Sequence, residues 1–173
     1  SDDKYREFWA FFDRPDSNTR SIYTGVSVQQ LLQHGHHSVE HIVPRSLLEF
    51  ELAQAPKTTR RGATVNPLNF AASHRKANTH RGHVIFDFDD DEIRQRTRLN
   101  FHTISTENTG LDRDGEWIVP PRTRGDIARA VIYMFLLYPL PRLRKENASA
   151  LLKWHSGDRP SKWEKQYNAW VLR

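Results

Sequence analysis

Polar and hydrophobic positions repeat at two different periods along the chain, and the switches between them outline its elements. "KYREFWAFF" (Lys4 to Phe12) has helical spacing and runs into the turn cluster "DRPDSN", so a helix is predicted there. "SVQQLLQHG" (Ser27 to Gly35) predicts a short second helix, with Ser27 as N-cap and Gly35 as its stop. "SVEHIVP" alternates with period two and predicts a strand that Pro44 ends. "FELAQAPKTTRRGATVNP" keeps neither period and predicts a loop or a broken helix. "LNF" predicts a second short strand, and "AASHRKANTHRG" a helix closed by Gly82. "GDIARAVIYMFLLYP" is apolar nearly all round. With Asp126 as N-cap and Pro139 as stop, it predicts the central buried helix. "KENASALLKWHSG" and "SKWEKQYNAWVLR" predict two amphipathic helices. With no repeat and no linker, the expectation is one α+β domain over residues 1–173, mostly helical around a small strand unit.

Composition narrows the classes. Hydrophobic residues make up 37% of the 173, and the mean hydropathy is −0.75. The longest apolar run, Ile127 to Leu140, is broken by Arg129 and is too short to span a bilayer, so no membrane partner is expected. The chain has no cysteine, which excludes disulfides, thiolate zinc sites and cysteine nucleophiles. No leader peptide is visible at "SDDKY", though a trimmed chain would start the same way. A net charge of +5 and a pI near 9.7 favour polyanionic partners. Basic residues gather in "KTTRR" (Lys57 to Arg61), "PRTRGDIAR" (Pro121 to Arg129) and "PRLRK" (Pro141 to Lys145). A solvated basic face would look the same, so the charge needs chemistry beside it.

That chemistry is sought in "HGHHSVEHIVPRS", which holds His34, His36, His37 and His41. A histidine at a strand end is more often structural than catalytic. His41 differs because Glu40 precedes it and Asn78 follows on the next predicted helix. A strand, a second strand and a helix can bring these three together. A carboxylate and an amide oxygen are hard ligands of the kind Mg²⁺ accepts, few in number and completed by water and phosphate. A neutral imidazole beside such an ion can take a proton from an attacking water.

"EHIVPRS" followed by "NPLNFAASHRKANTHRG" resembles the ββα-metal (His-Me finger) nucleases, in particular the endonuclease I family of non-specific nucleases. That family opens on Asn-Arg-Glu-His and closes the block with Pro-x-Ser, then continues with "DLHNL" and "N-S-x-R-G". Glu40, His41, Pro44 and Ser46 match the first block, Asn69 the second, and Asn78, Arg81 and Gly82 the third. "RGDIARAVIYM" and "LLKWHSGDRPSKWEKQYN" resemble its C-terminal helices, so the likeness covers roughly residues 38 to 170. The chain departs from the family in lacking the Asp and His of "DLHNL", in having "SV" before Glu-His, and in having no cysteine.

The resemblance implies a ββα-metal core near residues 38–83 and a sequence-independent endonuclease acting on DNA, with RNA as a further candidate. Its products would carry 5′-phosphate and 3′-hydroxyl ends. One Mg²⁺ per site, replaceable by Mn²⁺, would be held by Glu40 and Asn78, with His41 as general base and Asn69 orienting it. Relatives place a phosphate-clamping arginine downstream of the base. Arg60 and Arg61 occupy that region, and spacing favours Arg60. Arg81 is assigned either to a backbone phosphate or to the helix end, and Lys57 and Arg124 to the DNA-tracking surface. A monomer, an accompanying inhibitor or immunity protein, and a secreted or periplasmic location are further implications, with a cytoplasmic one left open by the missing cysteines.

Two other readings stay open. One is a site- or structure-specific HNH nickase of a defence or phage system. The other is a non-catalytic nucleic-acid-binding domain with zinc held by His34, His36, His37 and His41. His74 and His80 read as groove-lining and His155 as packing or capping. "DFDDDE" (Asp87 to Glu92) reads as a solvated loop opening a helix, or as a second cation site.

Overall fold

The computed structural model describes residues 5–14, 17–88, 99–101 and 103–173. It is a mixed α+β fold, mostly helical, with two small sheets. Strand β1 (His37–His41) pairs antiparallel with β2 (Phe70–His74), placing His37 opposite His74 and His41 opposite Phe70. The second strand therefore starts where "LNF" ends and takes in "AASH", which helical spacing had assigned to a helix. Pro67–Asn69 instead forms a 3₁₀ turn, capped by Asn66 Oδ1 accepting from the Leu68 N–H at 3.0 Å. All five β2 residues are buried, and the Ile22 N–H donates to Ala72 O at 2.9 Å. A ladder filled on both faces outweighs the helix preference of two alanines, worth only a few tenths of a kcal/mol each (~0.5).

Helix α1 (Arg6–Phe12) and α2 (Val28–Gln33) lie where periodicity puts them, although the Ser27 side chain makes no capping bond. The stretch read as a loop or broken helix is two helices, α3 (Arg45–Glu51) and α4 (Lys57–Thr64). Pro44 and Pro56 hold their N-cap positions with ψ of 140° and 145°, so each proline enters a helix from extended backbone where no N–H is needed. Helix α5 (Arg75–Arg81) follows β2 directly. His74 Nδ1 caps it by accepting from the Lys76 N–H at 3.1 Å. Gly82, at φ +49°, closes it in a conformation that costs a side-chain-bearing residue about 1 kcal/mol or more.

Helix α6 (Arg124–Leu137) packs on α7 (Pro141–Gly157). Ile127, Ala128, Val131 and Met134 are buried, but Leu136 and Leu137 are exposed, so the helix emerges at its C-terminal end. Asp126 lies in the first turn; Thr123 is the N-cap residue. Helix α8 (Lys162–Val171) is capped by Ser161 Oγ and packs Tyr167 among Phe8, Phe11 and Phe12 of α1. A second sheet of two-residue strands, β3 (Phe86–Asp87), β4 (Leu99–Asn100), β5 (Gly110–Leu111) and β6 (Trp117–Ile118), has the order β3-β6-β5-β4, with β3 parallel to β6 and the other pairs antiparallel. Asp87 is buried in β3; the rest of the acidic run, Asp89 to Glu92, lies outside the described residues. Among the described residues no helix is long and apolar enough to cross a membrane.

The basic clusters are less free than the sequence suggests. Arg129 forks onto Glu164 (Nε to Oε1 2.6 Å, Nη2 to Oε2 2.8 Å), also donates to Asp126 Oδ1 at 2.9 Å, and bonds Asp158 O. Arg122 pairs with Glu107 at 2.9 Å. The groove expected along Arg122 to Arg129 is thus largely neutralised from within the fold. Burial, then the hydrogen bond and charge of Glu164, raise the Asp126 carboxyl to about 8. Burial also pushes Glu164 up, but the Arg129 fork and the Asp126 proton outweigh it and the net pull is down.

A carboxyl that holds its proton more tightly when folded contributes stability that is complete below the ordinary aspartate value and lost as pH climbs through about 8. Glu164, shifted the other way, contributes above the ordinary glutamate value and does not oppose that loss. The melting temperature should therefore fall between pH 6 and 9, and Asp126→Asn should flatten the fall. A wild-type curve level across this range would contradict the shared proton.

Candidate functional site

Glu40 is 2% exposed at the penultimate position of β1. Its Oε1 accepts from Tyr23 Oη at 2.5 Å and from Arg81 Nη1 at 2.8 Å, and Oε2 takes no side-chain bond among the described residues. Burial raises the Glu40 carboxyl above its ordinary value, while the Arg81 charge and the Tyr23 bond pull it back. Burial and the Glu40 charge hold the Tyr23 hydroxyl well above its own. Arg81 is also 2% exposed. It donates from Nη1 to His41 O (3.0 Å) and from Nη2 to Ile42 O (2.9 Å), and lies over the Phe86 ring at 4.4 Å. Arg81 therefore braces the end of β1 from inside. The assignment to a substrate phosphate is corrected: a guanidinium committed to three acceptors and sealed from solvent cannot reach one.

His41 follows on the opposite face of the strand, its ring edge-on to Phe70 at 4.9 Å and to Tyr5 at 6.2 Å. The ring Nε2 lies 3.2 Å from Thr64 O at the end of α4. A carbonyl can only accept, so in the neutral ring Nε2 carries the hydrogen and Nδ1 has the lone pair that can take a proton. The backbone just beyond is fixed by Asn69, which is fully buried. Its Oδ1 accepts from the Val43 N–H at 2.8 Å, and its Nδ2 donates to Val43 O at 2.9 Å. One amide side chain thus substitutes for a strand rung two residues after His41.

Asn78 enters from the middle of α5. Its Nδ2 donates to Ser38 Oγ at 2.8 Å and Val39 O at 2.9 Å, which leaves Oδ1 as an acceptor with no hydrogen-bond donor among the described residues. Glu40 and His41 point to opposite faces, yet both reach one cavity because the strand ends there and the chain turns through Ile42 to Pro44. That cavity, about 270 Å³, is lined by Glu40, His41 and Asn78, and also by Arg45, Ser46 and His83. No family model matches this chain, and no curated protein matches it.

Arg45 and His83 were not singled out in the sequence. Arg45 sits inside the "PRS" close of the first block, and His83 follows the glycine that ends α5. The arginines expected to clamp phosphate, Arg60 and Arg61, lie on α4, which meets His41 through Thr64 O; neither lines the cavity, and nor do Lys57 and Arg124. Arg124 instead donates to Val119 O at 3.3 Å and lies over the Trp154 ring at 5.5 Å.

The four clustered histidines divide among three places, with His34 and His36 kept together. His37 packs against Trp9 at 4.8 Å, whereas His34 and His36 line another cavity with His74. His74 accepts through Nδ1 at the start of α5, so its Nε2 carries the hydrogen and has no lone pair for zinc. His80 lies 5.5 Å from the Phe101 ring at a tilt of 57°, and His155 is exposed rather than packed. Elsewhere, the carboxylates of Asp87, Asp112 and Glu116 lie within 4.8 Å of one another, an acidic group that could hold a cation.

Proposed function

We propose that this chain is a metal-dependent endonuclease that hydrolyses DNA without regard to sequence, RNA sharing the same backbone linkage. One observation carries the reading. An imidazole fixed through Nε2 by the Thr64 carbonyl shares a cavity with a carboxylate and with an amide oxygen that has no donor among the described residues. Strands β1 and β2 pair antiparallel across an insertion that holds α3 and α4, and β2 runs straight into α5, an arrangement compatible with a ββα-metal core.

The donors fit a hard cation: Glu40 has Oε2 outside its Tyr23 and Arg81 bonds, and Asn78 has Oδ1. Mg²⁺ held by Glu40 and Asn78, or Mn²⁺ in its stead, would offset the negative charge that develops on the phosphate. His41 Nδ1 takes a proton from water as its oxygen attacks phosphorus. The bond from phosphorus to the 3′ oxygen breaks, and that oxygen takes a proton from solvent water, leaving a 5′-phosphate and a 3′-hydroxyl. Asn69 and Thr64 hold the ring where that proton transfer needs it, and the Tyr23–Arg81 brace fixes the Glu40 carboxylate.

Supercoiled plasmid with Mg²⁺ is the test. It should be nicked, linearised and reduced to a smear, and excess chelator should stop all three stages. Persistent discrete bands would favour a site-specific nickase, and an intact plasmid would remove the nuclease reading.

A further inference from the structure

The cavity has two levels. Glu40 is buried and His41 and Asn78 are half-buried, whereas Arg45 and His83 are exposed at the mouth. Two local features put them there. Pro44 turns the chain into α3, and side chains in a helix tilt toward its N-terminus, so Arg45 and Ser46 lean back over the cavity. Gly82, in its left-handed conformation, reverses the chain after α5 and returns His83 to the same opening.

Among the described residues the side chain of Arg45 bonds from Nε to Glu49 Oε1 alone, at 2.8 Å, with both side chains more than half exposed. An exposed pair spaced four residues apart on a helix is worth about 0.5 kcal/mol or less, so its guanidinium is easily transferred to a stronger anion. Both terminal nitrogens of Arg45 are unbonded among the described residues, and two parallel N–H groups suit two phosphate oxygens.

We propose that Arg45 and His83 bind a phosphate of the nucleic acid strand at the mouth of the cavity, and so set which linkage descends to His41. This rests on the nuclease reading and specifies its substrate contact. It assigns the phosphate contact of this cavity to α3 and the residue after Gly82, not to Arg60 and Arg61. A mouth of N–H donors above a floor of oxygen ligands suits a strand that has one phosphate held outside while the linkage to be cut lies deeper, beside His41.

The experiment compares Arg45→Gln, His83→Gln and the double variant Arg60→Gln/Arg61→Gln with wild type. Binding of a short labelled DNA duplex is measured in chelator, where no turnover occurs, across about 50 to 200 mM salt. Arg45 and His83 are exposed, so these substitutions leave the core untouched. Arg45→Gln should weaken binding about tenfold and lower the slope of log affinity against log salt by about one, as for loss of one phosphate contact. His83→Gln should weaken it less, since it removes one donor. If wild type cleaves plasmid while Arg45→Gln and His83→Gln bind as tightly as it does, the proposal is overturned and the nuclease reading stands. A wild type that neither cleaves nor binds removes both.

Discussion

His41→Ala should lower the rate of plasmid cleavage by about 10²–10⁴-fold, the usual worth of a general base. The size follows from position. The ring is held by Thr64 O at 3.2 Å, and the peptide at Val43 is locked by both polar atoms of Asn69, so the imidazole lines the cavity in a fixed orientation. Alanine leaves that frame intact, because the strand register and the Asn69 bonds involve other atoms. The loss should therefore be in kcat, with binding to duplex DNA unchanged. A variant that cleaves within a few-fold of wild type would show that some other group takes the proton.

Arg81→Met should cost about 3–5 kcal/mol of folding stability, the scale of breaking a buried ion pair from one side. Three acceptors lose their donor at once: Glu40 Oε1, His41 O and Ile42 O. The carboxylate, 2% exposed and left with Tyr23, must then bind a proton or remain charged without its cation. Methionine replaces the stem over Phe86 but not the guanidinium. Thermal or urea unfolding reads the change directly. Adding Glu40→Gln should recover part of the loss, because the uncompensated charge goes with it. Unchanged stability in Arg81→Met would mean that the brace is not what holds the end of β1.

That reversal of Arg81 shows where the sequence is legible and where it is not. Strand β1 could be read because alternation in "SVEH" marks a half-buried strand, and the end of α5 because Gly82 supplies the left-handed turn. Strand β2 was legible only at Phe70, the end of "LNF": "FAASH" is buried at every position, so it shows no alternation, and its alanines favour helix in isolation. The two-residue strands of the second sheet are too short to carry any period.

Charge misled for a related reason. Arg122 and Arg129 form a basic cluster along the chain, but their acids, Glu107 and Glu164, lie 15 and 35 residues away. Local composition cannot reveal pairing at that distance. In the candidate site, the pairing of Glu40-His41 with Asn78 was visible as a motif, while Thr64, which aims the ring, contributes only a backbone carbonyl that no sequence pattern marks.

The most direct test of the division of labour among these three residues is a calorimetric titration of Mn²⁺ into the wild-type protein, His41→Ala and Asn78→Ala. Wild type and His41→Ala should bind one ion with similar affinity, and Asn78→Ala should bind it more weakly. Equal binding by Asn78→Ala, or loss of the ion in His41→Ala alone, would contradict the account.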